Sequence, residues 1–122
     1  MPKFVHDDVL DAPIDKIIAE ADRVICFNVY STVYATVTTP ANIIAEYVPT
    51  ITKANGDASG RKGTLQAVST VNVDNAGQFN HYAIVDDTGT KILYIGTGTQ
   101  KNLDAGDKVD CPQADIEFND PT

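Results

Sequence analysis

A predicted β-hairpin at residues 79–95 constrains the fold of this chain more than any other stretch. Two apolar runs, residues 82–85 and 92–95, flank a polar corner that ends at Gly89, the residue expected to adopt the positive φ of a short hairpin loop. Both runs are apolar at successive positions, so we expect each strand to be covered on both faces inside the fold. The hairpin therefore predicts an antiparallel sheet, and its residues form no pattern typical of a catalytic site.

Further strand signals follow one another about every eight to twelve residues, separated by turns rich in Gly, Asn and Asp. Outside the hairpin, the predicted strands are residues 23–30, 64–73, 108–111 and 114–118. Residues 52–63 are the clearest predicted loop, because consecutive turn signals lie there. Residues 31–40 stay open between an extended segment and a surface loop, and residues 41–48 between helix and strand. The predicted fold class is mainly β, an antiparallel β-sandwich or barrel whose strands span about residues 23–118.

One amphipathic helix is predicted near the N-terminus, over about residues 8–22. Its apolar stripe has the 3.6-residue period of an α-helix and consists of Leu10, Ile14, Ile17, Ile18 and Ala21. Asp11 is the expected N-cap, with Pro13 in the first turn, and an earlier start at Asp7 or Asp8 stays open. We expect the stripe to pack on a sheet, with packing on a neighbouring subunit as the alternative.

The length of 122 residues predicts a single domain, residues 1–122, whose core needs no metal or disulfide. The net charge of −8 arises from seventeen acidic and nine scattered basic residues, unlike the basic clusters of nucleic-acid-binding proteins. The start of the sequence resembles no secretory signal, and no stretch approaches the roughly twenty apolar residues of a membrane helix. We therefore expect a protein made in a cytoplasm, with no nucleic-acid and no membrane partner.

The reactive side chains form no recognisable catalytic motif. Cys26 and Cys111 match no metal or redox spacing, so we expect two buried free thiols, with a disulfide between them as the alternative. Nucleophilic catalysis at His81 would require Cys26 or Ser69 within hydrogen-bond reach. An enzyme built around His81 is therefore kept as an alternative to a histidine that is satisfied at a strand edge.

Two further patterns fail as ligand sites. The segment Gly-Thr-Gly-Thr at residues 96–99 lacks the lysine and the following helix of a phosphate loop, and glycines in a strand are typical of a bulge. The acidic turns do not follow the spacing of a calcium loop. We predict no catalytic residue, no cofactor and no metal.

Six residues are predicted to form contacts with other proteins. Partly exposed tyrosines are typical interface anchors, and residues near the ends of the chain are also candidates. Ordinary half-buried tyrosines are the alternative, and the basic pair at residues 61–62 suits either a local ion pair or a contact between subunits. The predicted interface residues are Phe4, Tyr30, Tyr34, Tyr47, Arg61 and Phe118.

Several segments resemble a family of small virion-associated structural proteins of tailed bacteriophages. They are FVHDDVLDA at residues 4–12, GDASGRK at 56–62, HYAIVD at 81–86, KILY at 91–94, DIE at 115–117 and DPT at 120–122. The similarity runs nearly from end to end, and residues 30–52 depart most from the family pattern. It implies a β-rich structural subunit without catalytic residues, made in the cytoplasm of a bacterial host and located in the virion.

The resemblance leaves the location within the particle open between the capsid exterior, the neck or tail, and a fibre. Our preferred hypothesis is capsid decoration as a homo-oligomer, with other copies of the chain and other virion proteins, the major capsid protein first, as partners. The alternative is a neck, tail or fibre-associated component that binds a receptor or a glycan through loop residues such as Tyr34, Tyr47 and Asn55. The absence of Trp disfavours glycan binding, since aromatic platforms usually supply that contact.

Overall fold

The computed structural model of this chain describes residues 4–27, 30–56 and 59–119, without the side chains of residues 98–101. Antiparallel strands dominate, so the prediction of a mainly β fold with one long helix near the N-terminus is confirmed. In chain order the elements are α1 (Asp7–Glu20), β1 (Arg23–Phe27), α2 (Tyr34–Val37), a 3-10 turn (Pro40–Asn42), β2 (Ile43–Tyr47), β3 (Ile51–Asn55), β4 (Arg61–Leu65), β5 (Val68–Asn72), β6 (Gly77–Asp86), β7 (Lys91–Leu103), β8 (Lys108–Cys111) and β9 (Ala114–Phe118). They form two compact units, which are described separately.

Unit 1 comprises the described residues of Met1–Ala19, Thr50–Ala67 and Pro112–Thr122. It contains α1 and an antiparallel sheet of three strands in the order β3-β4-β9. The predicted apolar stripe of the helix packs inward at Ile14 and Ile17, which are buried. Gly63 of β4 permits this packing, because a Cβ there would lie 3.0 Å from Cγ2 of Ile14.

The helix begins at Asp7, the earlier of the two predicted starts, and ends at Glu20, two residues before the predicted end. His6 supplies the first acceptors: its carbonyl accepts the N–H of Val9 at 2.9 Å, and its Nδ1 accepts the N–H of Asp8 at 3.1 Å. The prediction of Asp11 as N-cap is therefore wrong. Asp11 lies one turn inside the helix, where its carboxylate accepts a hydrogen bond from Arg61.

Unit 2 comprises the described residues of Glu20–Pro49 and Val68–Cys111. Its main sheet has four antiparallel strands in the order β2-β1-β6-β7, and β5 pairs with β8 in a second sheet. A single bridge between Ala45 and Val73 extends from β2. The sheets of the described residues are open at their edges and do not close on themselves.

The predicted hairpin is confirmed as β6 and β7, which pair from Asp86 with Lys91 to Gly77 with Leu103. The positive φ predicted for Gly89 is wrong, because Thr90 carries it instead, at 52°. Gly89 is needed for a different reason: its N–H donates to Oδ1 of Asp86 at 2.9 Å, and a Cβ there would lie 2.5 Å from Oδ2 of Asp86.

The expectation that both hairpin strands are covered on both faces holds for only one of them. Residues 83–85 of β6 are buried, and their side chains alternate between the two faces of the sheet. Residues 92–95 of β7 are only half-buried, and β7 lies at one end of the sheet, where it pairs with β6 alone. Apolar content alone did not distinguish an inner strand from an outer one.

Two predicted segment boundaries are wrong. The predicted loop at residues 52–63 is instead mostly strand in its described part, because residues 52–55 belong to β3 and residues 61–63 to β4, and these strands pair with each other. The single strand predicted for residues 64–73 is divided between β4 and β5, which belong to different units. The turn signals between β3 and β4 thus led to the prediction of a loop where these two strands lie.

The two segments left open by the sequence are now defined. In residues 31–40 neither alternative holds throughout, because Tyr34–Val37 forms one helical turn. The hydroxyls of Thr38 and Thr39 donate back to the carbonyls of Tyr34 and Ala35 at 2.8 and 2.7 Å and end this turn. In residues 41–48 the strand alternative holds, since β2 pairs with β1.

Two apolar clusters form the core of unit 2. The first consists of Cys26, Ile44, Ala45, Val71, Val73, Phe79, Val109 and Cys111. The second consists of Ile25, Phe27, Val37, Ile43, Ala83 and Val85. Both cysteines are buried free thiols, as expected from the sequence.

Candidate interaction surfaces

A group of three aromatic rings in unit 2, of which that of Tyr30 is exposed, is the first candidate surface. Phe27 at the end of β1 and His81 on β6 are register partners, and their rings stack at 5.9 Å between centroids. The ring of Tyr30 lies 5.1 Å from that of His81 and is 60% exposed. These three residues are named the aromatic patch. A tyrosine whose ring lies against that of His81 offers apolar area to a partner with little loss of side-chain freedom on binding.

The ring of His81 has a defined orientation within this patch. Its Nδ1 lies 2.6 Å from Oδ1 of Asn80, and this contact is a hydrogen bond in the tautomer that carries the proton on Nδ1. Within the described residues, the His81 ring contacts Phe27, Tyr30 and Asn80 among others. Cys26, one of the two partners considered for catalysis, instead interacts with Cys111.

A hydrogen-bonded network adjoins the turn between β6 and β7. Arg23 of β1 holds the Asp87 carboxylate with two bonds, Nε to Oδ2 at 2.9 Å and Nη2 to Oδ1 at 3.1 Å. Its Nη1 donates to Oε2 of Glu46 at 2.7 Å, and the hydroxyl of Tyr34 donates to Oδ1 of Asp87 at 2.6 Å. The N–H of Asp87 donates to Asp22 at 2.8 Å. Tyr34, a predicted interface residue, thus uses its hydroxyl within unit 2.

The charges of this network shift the ionisation of its members. Burial alone would raise the pKa of Asp87, but the hydrogen bonds from Arg23 and Tyr34 outweigh it and lower that pKa below its usual value. The hydrogen bond to the Asp87 carboxylate in turn raises the pKa of Tyr34. The network is therefore built for an ionised Asp87.

Two open depressions lie beside this network. One has a volume of about 550 Å³ and is lined by Arg23, Thr38, Pro40, Ala41, Ile43, Glu46, Asp74 and Asn75. The amide of Asn75 donates to the carbonyls of Pro40 and Ile43 at 2.8 and 2.7 Å, which fixes one wall. The other, of about 410 Å³, shares Glu46 and Asp74 and is otherwise lined by Tyr47 and β5.

Tyr47 is more an internal residue than a surface anchor. It is half-buried and packs against the first core cluster. Burial is the main cause that raises its pKa, followed by the thiols of Cys111 and Cys26. Its ring therefore contributes to the core of unit 2.

Unit 1 carries its own exposed apolar residues, at the start of the chain. Phe4 is 83% exposed, and its ring meets that of His6 edge-on at 6.4 Å. Val9, in the first turns of α1, is 62% exposed. Phe4 and Val9 are named the N-terminal patch. Of the two predicted end residues, Phe4 is therefore exposed, whereas Phe118 is half-buried on β9.

The basic pair of unit 1 forms ion pairs within the unit. Arg61 donates from Nε to Oδ1 of Asp11 at 2.8 Å and from Nη1 to Oδ1 of Asn55 at 2.7 Å. The hydrogen bond to Asp11 is the main cause that raises the pKa of Arg61. Lys62 lies 3.2 Å from Asp115. Of the two interpretations of the pair, the structure therefore shows the local one.

Some exposed apolar residues were not among the sequence candidates. Val33 is 56% and Val48 is 78% exposed in unit 2. Neither belongs to a periodic pattern, so the sequence did not predict their exposure. Single valines beside turns carry no signal that separates a buried position from an exposed one. Only strand pairing and burial in the structure identify them.

Comparisons with known proteins provide no relative for this chain. No family model matches it, and neither does any curated protein or solved structure. Within residues 4–27, 30–56 and 59–119, no helix has the length and apolar content needed to cross a membrane. Over the same described ranges, no group of three or more metal-binding side chains comes together.

Proposed function

We propose that this chain is a structural protein of a bacteriophage virion, acting as a capsid decoration protein through contacts with other copies and with the major capsid protein. The observation that carries the proposal is the exposure of two of the predicted anchors, Tyr30 in the aromatic patch and Phe4 in the N-terminal patch. Large rings left in water at these positions favour a partner that covers them. The sequence resemblance to virion-associated proteins supplies the context.

The physical basis of this function is ordinary interface energetics. A stable contact buries about 800 Å² per partner, with a few aromatic anchors that contribute most of the binding energy. On a symmetric particle, many copies bind at once, so weak individual contacts add up through multivalency. We also propose that the open sheets are arranged as a sandwich or a barrel.

The test is binding of the purified chain to particles that lack it. We expect wild-type protein to bind such particles with a fixed stoichiometry, and Tyr30→Ala and Phe4→Ala to bind at least about tenfold more weakly. Val48→Ala is the matched control, because it truncates an equally exposed apolar side chain outside both patches.

Two outcomes would overturn the proposal. One is a chain that stays free in the lysate and never joins an assembled particle. The other is a chain that binds host cells while ignoring isolated capsids, which would favour a receptor-binding role on the tail or fibre.

A further inference from the structure

β7, one of the two outer strands of the main sheet in unit 2, has the geometry of an unfinished sheet edge. It is thirteen residues long and pairs with β6 on one side. Its central run is regular: Tyr94, Ile95, Gly96 and Thr97 pair in unbroken order with residues 84 to 81 of β6. Irregularities in the pairing lie on either side of this run, so the regular edge is confined to residues 94–97.

Half of the backbone groups in such a run point away from the neighbouring strand. In an antiparallel pair, successive residues alternate between bonding to the partner strand and facing outward. Along the outer edge of β7, no strand of the described residues pairs with these outward groups. An exposed edge of this kind is a template for another strand.

Three side chains of β7, those of Ile92, Tyr94 and Ile95, contact other residues of unit 2. Ile92 and Ile95 pack against the second core cluster from one face of the sheet. On the other face the ring of Tyr82 crosses Gly96, where a Cβ would lie 2.3 Å from Cζ of Tyr82, and this ring lies 6.3 Å from that of Tyr94. Residues 92–95 are nevertheless only half-buried, so an added strand would cover more of their apolar surface.

The charge distribution indicates which partner can add a strand to this edge. The chain has seventeen acidic residues and a net charge of −8, yet residues 88–103 contain none, and the charged residues of β7 are Lys91 and Lys101. Two copies of an acidic protein repel each other over most of their surfaces. At this strand two copies meet without acidic side chains of the strand itself, and Glu20 and Asp86 beside it are ion-paired with Lys91. A basic partner would bind more favourably to the acidic surface elsewhere.

We propose that two copies of this chain associate by antiparallel pairing of β7 with β7 across residues 94–97. The two four-stranded sheets then form one continuous sheet of eight strands around a two-fold axis. The proposal deepens the proposed function, on which it rests for the premise that the chain works through contacts between its copies.

The test is the oligomeric state of the purified full chain, measured by sedimentation velocity over a range of concentrations. We expect a reversible dimer that Thr97→Glu weakens at least about tenfold, because the substitution introduces like charges into the acid-free strand. Ser69→Glu is the matched control, since it adds the same charge at another exposed strand position, in β5, and should leave the dimer unchanged.

Hydrogen exchange locates the contact independently of any variant. The outward-facing amides of residues 94–97 should exchange more slowly at high protein concentration than at low concentration. A chain that stays monomeric, a dimer that both substitutions weaken equally, or slowed exchange elsewhere would each overturn the proposal.

Particle binding separates this proposal from the proposed function. A monomeric wild-type chain that still binds particles would remove the strand pairing and leave the virion role intact. A dimer that pairs through β7 but never binds particles would leave the strand pairing intact and remove the virion role.

Discussion

Burial lowers the reactivity of the two thiols, those of Cys26 and Cys111. Both belong to the first core cluster of unit 2. The pKa of Cys26 is raised, first by its hydrogen bond with Cys111 and then by burial. A thiol reacts as its thiolate, so a raised pKa together with burial makes the side chain inert.

We therefore expect slow alkylation of both cysteines in the folded chain. At about pH 8, iodoacetamide should label them at least about tenfold more slowly than in the chain unfolded by urea. The unfolded chain is the control for intrinsic reactivity, and mass spectrometry counts the modified thiols. Equally rapid labelling of the folded chain would contradict the buried pair.

From the sequence, the predicted contact residues that are exposed could not be distinguished from those that bond within their own unit. Tyr30 and Phe4 are exposed, whereas Tyr34 and Arg61 hold Asp87 and Asp11 within their own units. A tyrosine in a loop has the same local sequence signal whether its hydroxyl meets water or a distant carboxylate. Asp87 lies 53 positions from Tyr34, so no local pattern could reveal their hydrogen bond.

Asp87 connects several elements of unit 2. Arg23 reaches it from the start of β1 and also holds Glu46 of β2, while Tyr34 reaches it from α2. The two parallel bonds from Arg23 give the pair a fixed geometry, which isolated surface ion pairs usually lack. The turn after β6 is thereby connected to three other elements.

Substituting Asp87 should destabilise unit 2 in a pH-dependent way. At pH 7 we expect Asp87→Asn to lower the free energy of unfolding by about 1 kcal/mol, a value kept small because the carboxylate is partly solvated. The pKa of Asp87 is lower in the folded chain than in the unfolded chain. Its ionised form therefore stabilises the fold above the unfolded pKa, and this contribution is lost as pH falls through the folded pKa.

The measurement is urea unfolding of wild type and variant from pH 7 down to about pH 3. The difference between them should shrink over the acidic end of this range. Asp104→Asn, in an exposed turn, is the control for removing one negative charge. A difference that persists unchanged at low pH would contradict the assigned ionisation.

At the scale of the whole molecule, the dominant property is charge. A net charge of −8 opposes any association between copies, while the acid-free strand β7 provides one region where that opposition is weakest. The balance between the two depends on ionic strength, since salt screens charges that lie more than a Debye length apart.

Self-association should therefore become tighter with added salt. Raising the concentration of NaCl from about 0.05 M to about 0.5 M should lower the dissociation constant of the dimer, because it screens repulsion without weakening backbone hydrogen bonds. Sedimentation equilibrium measures the change, with the Thr97→Glu variant as the control that starts from stronger repulsion and should gain more. Weaker association in high salt would indicate that attractive ion pairs hold the copies together.

The sequence by itself determined the elements whose signals are local. The stripe of α1 and the apolar runs of β6 and β7 depend on residues a few positions apart, so the helical period and the short apolar runs were sufficient to find them. Only the tertiary structure decided that residues 43–47 are a strand, that β3 forms within a predicted loop and that β7 is an outer strand. Each of these depends on backbone pairing with residues far along the chain, and such pairing leaves no periodic trace in the strand itself.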